Sequence, residues 1–385
     1  MTELDLGLKV ATRRLFWRMG FSTRIDVPLR SFAPTSNNRR GQSAEAYTDL
    51  DVLGLTITSG FRLHAAIADC KSGRNASAIE RIFWLRGVAD FFSADDAWTV
   101  REHAPPDAAR QLAARLGIAV LTSEDLTALE QFHPSDLPIE HPALARLFDR
   151  HKVANYLTAF TGLSKKLKPL LDYRQFDYFV YEPYRNPLQL IAHLQQASDE
   201  LDPKNPLHVA LFFDMAWLYL VTITQIVEHV RASRLGDPDT GTQEYLFGGR
   251  LGLREKQLMA TLLAQVAPQG TDPPDPLPPY YPQLREQVVR VLRRPNHILN
   301  ALRYAEVATA GLADRVRVRI RSVFGDQYDE IAAKLLNDVC KLLVSAGELS
   351  SEFRDQANAI LLGVPTTDDD DAETSDATIQ LKLPH

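Results

Sequence analysis

Two stretches decide the fold: Thr48-Asp49-Leu50-Asp51-Val52-Leu53-Gly54 and Ala66-Ile67-Ala68-Asp69-Cys70-Lys71-Ser72. Each sets ionisable side chains into a run that otherwise reads as a buried β-strand. Strand side chains alternate between faces, so Asp49 and Asp51 share one face and Asp69 and Lys71 share another. An unpaired charge in an apolar strand is costly, so such groups are expected to be paired or bound to metal. Two carboxylates and a lysine at neighbouring strand ends can hold a divalent cation beside a water. That is the minimal equipment for hydrolysing a phosphodiester.

Outward from these strands, Leu4 to Met19 carries apolar residues at helical spacing (Leu8, Ala11, Leu15, Met19), and Gly20 stands where a helix C-terminal glycine belongs. A strand is expected at Thr23–Leu29, a polar loop at Ala33–Ala44 and a turn at Thr58-Ser59-Gly60. Ser77 and Glu80 form a capping-box pattern opening a helix to Phe92, with Ile79, Ile82, Phe83 and Val88 as its buried stripe. Strands at Trp98–Arg101 and Ile118–Leu121 flank a helix at Pro106–Leu116. Residues 1–130 thus read as an α/β unit in the order helix, three strands, helix, strand, helix, strand.

Prolines cluster from Pro134, after which long helical patterns dominate. The chain divides into a helical domain at 131–266, a linker at 267–283 with seven prolines between Pro268 and Pro282, a helical region at 284–364, and a disordered acidic tail at 365–385. Helices are expected at 187–201 and 206–232, with a loop at Gly236–Gly249. The tyrosines at 173, 178, 181 and 184 read as core or interface packing. Val209 to Val227 is almost wholly apolar. Asp214 inside it makes a buried core helix the better reading than a membrane span, and no membrane association is expected.

The 385 residues are 45% hydrophobic with a net charge of -6, which gives no global nucleic-acid signature. Charge is uneven, however: residues 1–86 hold 13 Lys and Arg against 8 Asp and Glu, and residues 285–321 hold nine Arg against three acids. The two cysteines, Cys70 and Cys340, exclude a disulfide scaffold or a cysteine zinc site and suit a reducing cytoplasm. The first residues lack the basic-then-apolar order of a signal peptide. Histidine spacing does not suit zinc, and no P-loop, GxGxxG or GxSxG occurs.

The N-terminal unit resembles the PD-(D/E)XK nuclease superfamily, the restriction-endonuclease-like fold. The resemblance rests on Asp51, on the Asp69-Cys70-Lys71 triplet closing an apolar strand, and on the helix–strand order around them. It implies a central mixed sheet flanked by helices, followed here by a mainly α-helical C-terminal region. It also implies Asp51 and Asp69 as metal-binding carboxylates, the Cys70 backbone carbonyl as a further ligand, and Mg²⁺, with Mn²⁺ as a substitute. Lys71 would orient or activate the attacking water. Many members carry a Glu on the first helix, where this chain has Lys9 and Val10. Glu3, Asp5, Glu45, Asp49 and Glu80 are the alternative acids, Glu80 also being read as a cap.

Nucleic-acid contacts are expected from Arg39 and Arg40, whose loop reads equally as solvated, from Arg293 and Arg294, and from Arg315, Arg317, Arg319 and Arg321. The last four would share one face on a strand and spread around a helix. The resemblance implies a Mg²⁺-dependent DNA endonuclease, with RNA as another substrate, in a restriction-like or anti-phage role. Its helical region would provide control, a homodimer contact or a partner contact. The alternative is a non-catalytic module that binds nucleic acid or a protein within a complex.

Overall fold

Helix α1 (Glu3–Arg18) ends where the glycine predicted, because Gly20 takes a φ of 93° that an L side chain resists. Phe21 N–H donates to the Phe16 carbonyl at 2.9 Å and Gly20 N–H to the Trp17 carbonyl at 3.2 Å. The Phe16 and Phe21 rings close this Schellman end at 5.2 Å. The structure, a computed structural model, describes residues 3–30, 46–73, 77–133, 141–266 and 275–364. Glu45, Arg39, Arg40 and the tail at 365–385 lie outside them.

The chain continues through β1 (Ser22–Arg30), β2 (Ala46–Ile57), β3 (Leu63–Lys71), α2 (Ala78–Phe92), β4 (Asp96–Arg101), α3 (Asp107–Arg115), β5 (Ile118–Thr122) and α4 (Ser123–Phe132). This is the expected order with α4 added, its start fixed by a Thr122–Asp125 capping box. The strands form one mixed sheet in the order β1-β2-β3-β4-β5. β1, β2 and β3 pair antiparallel, and the α2 and α3 crossovers bring β4 and β5 in parallel to β3.

Phe16 of α1 packs onto β2 at Gly54, where a Cβ would lie 2.6 Å from the Phe16 ring. That glycine lets the helix lie close against Val52, Ala66, Ala68 and Cys70, with which it shares a buried cluster. On α2 the buried stripe is Ile82, Leu85, Val88 and Ala89, whereas Ile79 and Phe83, expected inside, are 43% and 56% exposed. Those two are four residues apart and share the outer side of the helix. Ser77 caps α2 through the Glu80 N–H, as expected.

The remainder is mostly helical. Helix Pro206–Ser233 carries the long apolar run, and among the described residues it alone has the length and composition to cross a membrane. It is almost entirely buried, packed against helix Ile298–Ala313 and capped by Asn205. The expected loop at Gly236–Gly249 contains a helix, Pro238–Leu246, because Asp237 caps it and Pro238 fills its first turn. Tyr173 and Tyr178 are buried, as the packing reading required. One continuous apolar cluster runs from Leu53 and Ile67 of the sheet through Ile82 to Phe212, Leu302 and Leu336. The sheet and the helical region therefore share a core.

Candidate metal centre

The β2–β3 register pairs Val52 with Ala68. Carried one step further it sets Asp51 opposite Asp69, so both carboxylates leave the sheet on one face, with Lys71 two residues on. Asp51 and Asp69 are 2% and 3% exposed. The Cys70 N–H donates to Asp51 Oδ2 at 2.7 Å, and Lys71 Nζ lies 3.5 Å from that same oxygen. Lys71 and Asp51 therefore meet, and Asp69 shares their face, but Asp69 is not among the carboxylates whose oxygens lie close enough to share an ion. Cys70 itself turns its Sγ to Thr12 Oγ1 of α1, 3.5 Å away, where burial pushes the thiol pKa well up and leaves it inert.

The structure adds three residues to this set. Lys9 of α1 reaches in among the carboxylates, in short contact with Asp26, 2.7 Å from Asp51 Oδ1 and 3.6 Å from Asp49. Burial works against its charge, but Asp51 and Asp26 outweigh burial and raise its pKa. Asp26 sits in β1 with a φ of 55°, a backbone conformation that interrupts the strand alternation. Arg81 of α2 grips Asp69 with both arms, Nε to Oδ2 at 2.9 Å and Nη2 to Oδ1 at 2.5 Å, and lies 3.6 Å over the Trp84 ring. Burial opposes the Arg81 charge too, yet the bonds to Asp69 and the nearby Asp51 and Asp49 carry its pKa up.

Four carboxylates (Asp26, Asp49, Asp51, Asp69) thus face three cations (Lys9, Lys71, Arg81). Burial raises the pKa of Asp51 and of Asp26, and Lys9 offsets it only in part. Carboxylate oxygens of Asp26, Asp49 and Asp51 lie within 4.8 Å of one another. Opposite oxygens around Mg²⁺ stand about 4.2 Å apart, so this hard oxygen set closes on one ion with small side-chain rotations. Asp51 Oδ1 is buried, with the Lys9 ammonium 2.7 Å away. Asp26, Asp49 and Asp51 could hold a divalent cation, and the Lys9 ammonium lies among their oxygens.

A cavity of about 510 Å³ opens beside Lys71, lined by Ser72, Ser77, Arg101, His103 and Pro106. It lies at the C-terminal ends of the parallel strands, where Lys71 pairs in register with Arg101. Asp5 does not join the carboxylates: its Oδ1 accepts from the N–H and the hydroxyl of Ser72, each at 2.8 Å. Glu3 and Glu80 are exposed. Asp26, which the sequence reading did not select, is the additional acid of the cluster; its place in an apolar strand between Ile25 and Val27 is the signal that could have found it.

The nine arginines of 285–321 are scattered. Arg303 is buried, Arg290 bridges Glu286 and Asp338, and Arg285 pairs with Asp239 at 3.4 Å. Arg293 and Arg294 are exposed at a helix end. Arg315, Arg317, Arg319 and Arg321 are exposed on a segment that is neither strand nor, before Ile320, helix. Val318 and Ile320 point inward between them. Comparison with protein-family models gives no match, and comparisons with curated proteins and with solved structures give none either.

Proposed function

We propose that this chain is a restriction-endonuclease-like, divalent-cation-dependent nuclease acting on DNA. The observation that carries the reading is the convergence of Asp51, Asp69 and Lys71 on one sheet face beside an open cavity edged by Lys71 and Arg101. Asp51, with Asp26 and Asp49, would hold Mg²⁺ or Mn²⁺, and Asp69 would join them. When bound, the ion lowers the pKa of a coordinated water and offsets charge on the phosphate. Lys71 positions the attacking water and faces the negative charge that develops on the phosphate oxygens. Arg81 holds Asp69 at a fixed angle. Arg101 and the exposed arginines from 293 to 321 supply phosphate contacts, with RNA the competing substrate. The helical region, sharing its core with the sheet, would restrain the activity or receive a partner, as a restriction-like or anti-phage effector requires.

The test is cleavage of supercoiled and linear DNA, and of RNA, by purified protein with Mg²⁺ or Mn²⁺. Lys71→Ala and Asp51→Ala are expected to lose about 10²–10⁴-fold in rate. Equal degradation by wild type and both variants would sink the catalytic assignment.

A second reading has its own observation in favour. The Lys9 ammonium already pairs with Asp26 and Asp51, and Arg81 already satisfies Asp69, as in a nuclease fold that only binds nucleic acid or a protein. Calorimetric titration of the metal-free chain with Mn²⁺ separates the two. Binding that strengthens in Lys9→Met supports the metal centre; no heat in either protein supports the binding module.

A further inference from the structure

A second cavity, of about 230 Å³, lies on the other side of β1, between the sheet edge and the helical region. Arg13, Arg24 and Arg174 line it, facing Asp214 and Glu306; Asp26 reaches its wall but is held by Lys9. We propose that it binds a small oxyanion, a phosphate or carboxylate group carrying at most a small substituent.

Glu306 is saturated: Oε1 accepts from Arg13 at 2.8 Å, Trp17 at 3.0 Å and the Thr23 hydroxyl at 2.5 Å, and Oε2 from Ser22 at 2.9 Å and the Thr23 N–H at 3.0 Å. Asp214 has one oxygen on Arg24 and the other on Arg174. Arg303, behind the cavity, spends its donors on the carbonyls of Trp17 and Phe21. Four buried or nearly buried guanidiniums therefore share two carboxylates. A buried charge needs a matching partner, and here cations are in excess.

The excess has an address. Among the described residues, Arg24 donates only through Nη2, to Asp214, leaving Nε and Nη1 without an acceptor. Its guanidinium is fixed 4.4 Å over the Trp217 ring, and Arg174 is fixed 4.4 Å over Phe160. Arg24 thus holds a planar fork beside an empty volume, the geometry that suits a bidentate oxyanion, while Arg174, its Nε on Asp214 and its Nη2 3.2 Å from the Tyr156 hydroxyl, adds its charge alongside. Burial pushes the Arg24 pKa down, Asp214 offsets this only in part, and Arg174 adds to the push, as expected for a cation short of negative charge. The aromatic faces are already covered by the arginines, and the volume falls below the range of about 300–1,000 Å³ of drug-sized pockets. Both facts limit the ligand to the oxyanion and little more.

The test uses the full chain in EDTA, so that its outcome does not depend on the metal centre. Inorganic phosphate, methyl phosphate and acetate are titrated by calorimetry and by thermal shift. A saturable rise in Tm with at least one of the three is expected; no binding of any overturns the proposal. Arg24→Met keeps the stem against Trp217 and is expected to weaken binding at least tenfold, while unchanged affinity overturns the site. Asp214→Asn frees both guanidiniums and is expected to tighten binding severalfold. That variant decides even if Arg24→Met fails to fold: unchanged or weaker binding overturns the proposal. The preferred probe tells a phosphate source from a carboxylate one.

Discussion

The two charged clusters on either side of β1 are built from the same two elements and have opposite balance. Helix α1 gives Lys9 to one and Arg13 to the other, four residues apart; β1 gives Asp26 to one and Arg24 to the other, two residues apart. The first cluster sets four carboxylates against three cations, the second four guanidiniums against two carboxylates. A deficit of positive charge suits a cation, and a deficit of negative charge suits an anion.

The strongest way to break the comparison is through Glu306, the carboxylate that ties the helical region to α1 and β1. Glu306→Ala leaves Arg13 and Arg303 buried with no carboxylate and is expected to cost about 3–5 kcal/mol in urea denaturation. A loss below about 1 kcal/mol would mean that the sheet and the helices are joined by their apolar core alone. Lys9→Met is next. It leaves Asp26, Asp49 and Asp51 facing one another, and about 2–3 kcal/mol should be lost in EDTA, less than for Glu306 because Lys71 and Arg81 remain. Saturating Mn²⁺ should return most of that stability, by about 2.7 kcal/mol at one hundred times its dissociation constant. No recovery would argue that the carboxylates hold an ammonium and nothing else.

Gly54→Ala probes both clusters at once, because it lifts the helix that carries Lys9 and Arg13. Overpacking against Phe16 should cost about 1–3 kcal/mol, read as a fall in Tm. The smallest effect is in pH dependence. Burial raises the folded-state pKa of Asp51 above its unfolded value, so the folded chain takes up this proton first as pH falls. Stability contributed by the group is therefore lowest at neutral pH and rises towards acid, through the window from the folded pKa down to the unfolded one near 4. Compared with Asp51→Asn, the wild type should gain stability on going from pH 7 to pH 4, by at most about 1.4 kcal/mol per pH unit. A loss over the same range would contradict a setting in which burial of Asp51 outweighs its contact with Lys9.

Much of the first cluster was legible in advance. Asp51, Asp69 and Lys71 stand out because a charge in a period-two apolar run is conspicuous, and β-register then places them on one face. The second cluster was almost invisible. Arg13 and Glu306 are 293 residues apart in sequence, and nothing local marks either as a partner of the other. Asp214 was noticed only as an obstacle to a membrane span; its arginines come from β1 and from a segment near Tyr173. Arg81 was hidden because its neighbour Glu80 drew the capping reading, while helix geometry turns Arg81 back towards Asp69.

The sequence by itself determined the element order as far as residue 122, the mixed α/β character of the first third, a buried helix at 206–232 and the Asp69–Lys71 face with Asp51 beside it. These follow from periodicity, capping and glycine placement, which act over a few residues. The tertiary structure decided that Lys9 stands among the carboxylates, that Asp26 joins them, that Arg81 holds Asp69, and that four arginines meet two acids behind β1. Such pairings depend on which distant segments share a buried space, because a charge removed from water must find its partner in whatever lies across the core.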